Sequence, residues 1–333
     1  MRRLIFGLVV LTALASGWWA FYAWSTERVV SQWMAAREAE GWLARYADLS
    51  VEGFPTRFDT RLRDLELADP DTGWVWRVPE LFLGQRALRP DHLRAIWPRE
   101  QVLSSSRESV TIRSEVMRSE LDVQPAAQFA LDASVTEMQG VEVASTEGWS
   151  MYLSDGRLTG QRVEGTDDTY DVAFVAEGLE PPGPMAALLD PAGVLPQRIG
   201  TVTYRARMAF DRPWDLRAIE ERRPQISQIA LEDMSAQWGD MLFRATGAVD
   251  VDAAGQPEGD IAVRAENWQS MVELAVNAGA IPQQLQGSIE AVLGMVAGLS
   301  GRPENIDATL SFRDGRVFLG PLPLGPAPRL ILQ

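Results

Sequence analysis

"TVTYRARMAF", residues 201–210, puts Val202, Tyr204, Ala206, Met208 and Phe210 on one side of an extended chain and Thr201, Thr203, Arg205 and Arg207 on the other. Side chains of a strand alternate between its two faces, so this segment has one apolar face and one wet face. "LFRATGAVDV", 242–251, repeats the scheme: Phe243, Ala245, Val249 and Val251 point inward, and Arg244, Thr246 and Asp250 outward. "DIAVRA" at 260–265 and "FALDASVT" at 129–136 do the same. A ten-residue strand of this kind runs about 33 Å, longer than the usual strand. The pattern predicts an α+β, β-rich fold built on a long curved antiparallel sheet that turns one face to an apolar interior. Val202, Tyr204, Met208, Phe210, Phe243 and Val249 would line any groove left in that interior.

Helical periodicity is confined to a few places, enough for a few covering helices. Asn267 reads as the cap of "WQSMVELAVNAG", with Trp268, Met271, Leu274, Ala275 and Ala278 as its stripe and Gly279 as its stop. Pro282 opens a second helix carrying Leu285, Ile289, Val292, Val296 and Leu299. A shorter helix around "GPMAALLD" lies within the proline-rich stretch 178–200, which suggests a joint between sub-lobes at about 47–178 and 200–333. "MYLSDGRLTG" at 151–160 echoes "LSFRDGRVFLG" at 310–320, each running into Asp-Gly, a favoured hairpin turn.

The N-terminus begins "MRRLIFGLVVLTALASGWWAFYAW". Residues 4–24 carry no charge and as a helix span about 31 Å, against a bilayer core of about 30 Å. Arg2 and Arg3 favour a cytoplasmic N-terminus, and Trp18, Trp19, Tyr22 and Trp24 suit the far interface. The expectation is a single-pass inner-membrane anchor over 1–25 with the body, 26–333, in the periplasm. The small-x-small triplet Ala13-Leu14-Ala15 also fits a cleaved signal peptide, although cleavage there would leave "SGWWAFYAW" as an apolar end. Thr26 reads as the cap of a helix continuing outward.

"EGFPTRFD", 52–59, groups Gly53, Phe54 and Pro55 ahead of an alternating run that slips once near Asp64. It reads as the doorway into the first strand and a bulge, with Arg57 and Asp59 on one face and able to pair. At the other end "GPLPLGPAPRLILQ" alternates proline with leucine, which places the tail on a sheet edge and predicts burial of Leu330, Ile331 and Leu332.

The 333-residue chain is 46% hydrophobic, as a chain with a packed core is, and it has no cysteine. Its basic side chains are all arginine, and its net charge of -15 argues against a nucleic-acid partner. His92 is the single histidine, no G-x-S-x-G elbow presents a serine, and the phosphate-loop lysine is missing. "DVDAAGQPEGDI", 250–261, starts like a calcium loop with Asp250, Asp252 and Gly255, but Ala254 and Ile261 occupy ligand positions. No catalytic residue, metal site or cofactor is expected.

With "EGFPTRFD", "GWVWRVPELFLGQRALRPDHLRAIWP", "GAVDVDAAGQPEGDIAVRAENW" and "FRDGRVFLGPLPLGPAP" in view, residues 26–333 resemble the alphaproteobacterial family called domain of unknown function 2125. The hairpin pattern G-x-V-x-V-x-x-x-G-x-x-x-G-x-I-x-V is more loosely similar to strands of AsmA-like proteins, which are tied to outer-membrane assembly and lipid traffic. The first resemblance implies a membrane-anchored envelope protein and carries over no catalytic residue. Joined to the one-faced strands, it sets two expectations: a non-enzymatic protein that holds or passes lipid or another apolar ligand, or an envelope scaffold that binds a protein partner and no small ligand. A hydrolase would need two carboxylates converging in a cleft.

Overall fold

The computed structural model describes residues 2–332 apart from 71, 191, 192, 194, 278–280, 301–303 and 321. Helix α1 (Arg2–Ala39) leads into β1 (Leu43–Arg45), β2 (Asp48–Glu52), β3 (Arg57–Ala68) and β4 (Val75–Arg86). Seven strands follow: β5 (Arg89–Ile96), β6 (Glu100–Ser104), β7 (Ser109–Arg113), β8 (Val116–Gln124), β9 (Ala130–Ser145), β10 (Ser150–Arg162) and β11 (Thr169–Leu179). After α2 (Gly183–Leu189) come β12 (Ile199–Phe210), α3 (Arg217–Glu220), β13 (Ile226–Trp238), β14 (Met241–Val251) and β15 (Pro257–Glu266). The chain ends with α4 (Trp268–Asn277), α5 (Gln283–Ser300), β16 (Asn305–Arg313), β17 (Arg316–Leu319) and β18 (Leu322–Pro326).

All the strands belong to one antiparallel sheet, a meander in which each pass pairs with the next in sequence. Three passes are broken in two. β1 and β2 both pair with β3, β5 and β6 with β4, and β7 and β8 with β9. Across the proline-rich stretch the sheet is continuous, because Thr169–Leu179 of β11 pairs along Ile199–Ala209 of β12. Antiparallel pairing needs only short turns at each end. The turns at 53–56, 87–88 and 125–129 therefore leave one edge of the sheet, the Leu88 end, and those at 69–74, 105–108 and 146–149 the opposite one, the Trp74 end; farther along, the coil of the sheet brings the 211–225 connection to the Trp74 turn, where Arg223 lines a pocket with Trp74.

Opposed residues sort the two faces. On the outer face arginine meets a carboxylate directly across strands: Arg77 and Glu66, Arg113 and Glu100, Arg207 and Asp171, Arg264 and Asp307. Glu137 takes Arg118 from β8 and Arg157 from β10, and hydrogen bonding from Arg118 holds its carboxyl below the usual range. Solvent screens such exposed pairs, so they set registry more than stability. The cores lie on the inner face. Trp33, Met34 and Val30 of α1 pack on Leu62, Leu65 and Val78, and Trp19, Tyr22 and Ala23 pack on Val51 and Phe58. At the other extreme Trp268, Val272, Ile289, Leu293 and Ala297 of α4 and α5 pack on Ala265 and Ile306.

The sheet coils back on itself. Arg37 at the end of α1 donates to the carbonyl of Glu220 in the β12–β13 connection at 3.3 Å. The tail crosses the 252–256 turn and the β12–β13 connection, with Leu330 N–H on Gly255 O (2.8 Å) and Leu332 N–H on Gln225 Oε1 (3.0 Å).

Several local expectations are corrected. "EGFPTRFD" is the turn joining β2 to β3 and not the approach to a first strand, since Leu43–Glu52 already pairs along β3. Thr26 caps nothing; α1 runs through it and its hydroxyl donates to Tyr22 O at 3.0 Å. Asp155-Gly156 lies in the middle of β10, whereas Asp314-Gly315 is a true hairpin turn with φ 52° and 66°. The buried stripe of α5 is Ile289, Leu293 and Ala297, while Val292 is exposed; Val296, Leu299, Ala278 and Gly279 lie outside the described residues. Asn267 has φ 56° and donates its amide to Asp240 O. Ile331 is 49% exposed: its side chain lies over Gly255 on one side only, while the backbone N–H groups of Leu330 and Leu332 fix the tail. The slip near Asp64 is real: φ is 49° there, and burial moves from Phe58, Thr60 and Leu62 to Leu65.

Among the described residues no helix is long and apolar enough to cross a membrane. The side chains of residues 4, 5, 7–9 and 11 of the apolar run lie outside the described ones.

Candidate functional site: an uncovered apolar trough

Directly opposed residues share a face, so the registers trace rows across the sheet. Tyr204 of β12 stands between Phe174 of β11 and Met234 of β13. Beyond Phe174 the row continues through Leu158, Thr136 and Ser119 to Ala95 and Leu83. Beyond Met234 it passes through Ala245 and Val263 to Ala308. At about 4.8 Å per strand the row runs on the order of 50 Å along the sheet without one charged side chain. Parallel rows set Val202 and Phe243 opposite Ala236, and Met208 and Val249 opposite Ile229.

Among the described residues, helices cover this face only at its ends. The two clusters between, one around Val141, Leu153 and Ala176 and one around Ala206, Leu231 and Ala245, are built from strand side chains alone. Leu83, Leu158 and Met234 are 39%, 41% and 36% exposed on the inner rows. For large apolar side chains in the middle of a sheet, this means that no second layer lies over them.

Polar atoms on the trough wall are neutral and partnered. Trp97 donates its indole N–H to Ser119 Oγ (2.9 Å), Trp76 to Gln101 Oε1 (3.2 Å), and Ser119 and Thr136 hydroxyls meet at 2.9 Å. At the start of the β12–β13 connection Phe210 stands edge-on to Tyr170 (6.0 Å) and Trp214 (5.5 Å), and the Tyr170 hydroxyl donates to Leu131 O. Burial pushes the phenols of Tyr170 and Tyr204 up, as an apolar surrounding does. At the Trp74 end Trp42, Trp74, Trp76, Leu67 and Leu103 line an open pocket of about 720 Å³ that Arg223 also reaches.

Of the six groove residues expected from sequence, Val202, Tyr204, Met208 and Phe243 lie half-buried on the trough, Val249 is buried in its floor, and Phe210 belongs to the aromatic closure. The sequence reading missed Leu83, Leu158, Phe174 and Met234. Leu158 sits in "SDGRLTGQR", whose glycines at 156 and 160 occupy the neighbouring inward positions and mask the alternation. Met234 follows a slip in β13, where two residues are passed over between Leu231 and Met234. The "EGFPTRFD" residues stand apart from the trough: Gly53 has φ 98°, the Phe54–Pro55 bond is cis, Phe54 lies edge-on to Trp19 at 5.5 Å, and Arg57 pairs with Asp59 at 3.3 Å.

His92 is bound to Asp122 on the outer face (2.7 Å), and Asp252 accepts N–H bonds from Ala254 and Gln256 in its own turn, both at 2.8 Å. Among the described residues no group of three His, Cys, Asp or Glu is placed to hold a metal ion. No curated protein and no solved structure matches the chain. The family described as an uncharacterized protein conserved in bacteria, DUF2125, has a model that matches residues 19–328, nearly the whole chain, and the chain belongs to that family.

Proposed function

We propose that this is a non-enzymatic, membrane-anchored envelope protein whose trough holds or passes a lipid or another apolar ligand. The observation that carries the reading is the uncharged inner row from Leu83 to Met234, left open between α1 at one end and α4 with α5 at the other. Water on such a surface is costly at about 25 cal/mol per Å² of apolar area, and acyl chains replace it without needing a hydrogen bond. On this reading the apolar run 4–24 anchors the chain in the inner membrane, its last turns packing on the sheet from Trp18 onward, with the body on the periplasmic side.

Native mass spectrometry of the full chain, stripped of lipid and then exposed to phospholipid vesicles, tests this. Adducts of phospholipid mass that survive removal of the detergent are expected. A chain that stays bare while crosslinking recovers a specific envelope protein would replace the lipid reading with the scaffold reading.

A further inference from the structure

We propose that the Leu88 end of the sheet docks on a lipid surface, with the turns 53–56 and 87–88 set into the headgroup layer beside α1. This rests on the anchor reading of α1 and adds where the body sits relative to the bilayer.

The geometry of α1 comes first. Trp18 and Trp19 are the first described side chains of the helix to touch the sheet, at Phe58 (5.8 and 5.9 Å), and the Trp19 indole donates to Arg57 O at 2.8 Å. Tyr22 then reaches Gln85, and Met34 reaches Leu65 and Val78, so the helix enters at the Leu88 end and runs toward the Trp74 end. The uncharged run 4–24 thus passes without a break into the contact with the sheet, since Trp18, Trp19, Tyr22 and Ala23 already pack on it. No linker separates an anchored helix from the body, which places the Leu88 end against the membrane.

The end of the sheet from which α1 projects is dressed for that position. Leu88, at the tip of the two-residue turn between β4 and β5, is 93% exposed, and Phe54 on the neighbouring turn is 52% exposed. Trp18, Phe21 and Trp24 of α1 are about half exposed or more, and Phe129 on the turn after β8 is 40% exposed. Single exposed apolar residues are ordinary, but Phe54 and Leu88 occupy turn tips beside the exposed aromatics of one helix, Phe54 edge-on to Trp19 and Ala87 in one packed cluster with Tyr22. At the opposite end the 105–108 turn reads Ser-Ser-Arg-Glu.

Charge agrees. The chain is acidic overall, yet Leu88 is flanked by Arg86 and Arg89, and Arg57 follows Phe54. Most outer-face arginines are matched to a carboxylate, Arg57 to Asp59 and Arg89 to Asp91 among them, whereas among the described residues Arg86 and Arg94 make no ion pair; with Arg57 and His92 they line one shallow pocket in which these basic side chains outnumber its two carboxylates, Asp59 and Glu120. Aromatic and aliphatic tips rimmed by arginine suit the headgroup layer, where apolar atoms go in and guanidinium groups meet phosphate. A trough whose Leu88 end lies on the bilayer needs no soluble carrier to meet its lipid.

The chain has no cysteine, so single labels are unambiguous. Leu88→Cys, Leu14→Cys and Arg107→Cys variants of the full chain, each carrying an environment-sensitive fluorophore, are reconstituted in phosphatidylethanolamine–phosphatidylglycerol vesicles with or without doxyl-labelled lipid. Emission lost to doxyl lipid at 14 and 88 but kept at 107 is expected. Emission lost at 14 alone, with 88 as indifferent as 107, overturns the docking while leaving the anchor intact. Indifference at all three positions removes the anchor and the docking together.

Discussion

Leu158 and Met234 stand on the same cross-strand row, three strands apart, and both remain more than a third exposed although each is flanked on two sides by paired strands. Phe174 and Tyr204 lie between them, so the openness belongs to a continuous stretch of the inner face rather than to one frayed edge. Leu158→Asp is therefore expected to shift stability within about 0.5 kcal/mol, as surface changes do, while removing most of the lipid adduct. Paired melting curves and mass spectra of the same preparation check it.

Phe58 tests the docking of α1. It is 3% exposed and stacks on Tyr22 at 4.0 Å, with Trp18 and Trp19 on its other sides. Phe58→Ala is expected to cost roughly 3–5 kcal/mol and to loosen α1 from the sheet. Hydrogen exchange at Trp19–Ala23 should rise with the fall in melting temperature; unchanged exchange there would show that α1 is held elsewhere.

Gly259 has φ 144°, and a Cβ built on it would lie 2.3 Å from the carbonyl oxygen of Ala248 on the paired strand. Backbone atoms are the obstacle, so no side chain can give way. Gly259→Ala should destabilise by about 1–3 kcal/mol, read from urea midpoints, with the β14–β15 hairpin the first region to lose exchange protection.

Asp215 gives a pH signature. It is 8% exposed; side-chain hydrogen bonds from Arg217 hold its carboxyl below the ordinary range, aided by the N–H groups of Arg217 and Ala218. A carboxyl depressed in the folded state stabilises fully above its unfolded value of about 3.9 and loses that contribution as pH falls through the folded value. The gap in urea midpoint between wild type and Asp215→Asn should be widest near neutrality and shrink below about pH 4. A gap constant across that window would mean that the carboxylate charge plays no part.

Much of the architecture is legible from residues that alternate cleanly. Val202, Tyr204, Met208 and Phe243 reveal a one-faced strand because nothing interrupts their period, and Trp268 with Ile289 reveals the covering helices. Legibility fails where the backbone departs from ideal geometry. The passes broken at 97–99 and 114–115, the slip at Asp64 and the skipped residues in β13 each shift the phase, so Trp97 and Met234 reach the inner face from positions that simple counting assigns elsewhere. The openness of the trough could not be read at all. It depends on how far α1, α4 and α5 reach over the sheet, a long-range property that local periodicity does not encode.

The most direct measurement is photo-crosslinking of the full chain in vesicles that contain a phospholipid with a diazirine on its acyl chain, followed by peptide mapping. Labelling of inward positions on β10 to β13, at Leu158, Phe174 and Met234, with outward neighbours such as Arg157 and Arg205 unlabelled, is the expected result. Labelling confined to α1, or spread equally over both faces of the strands, would contradict a lipid-holding trough.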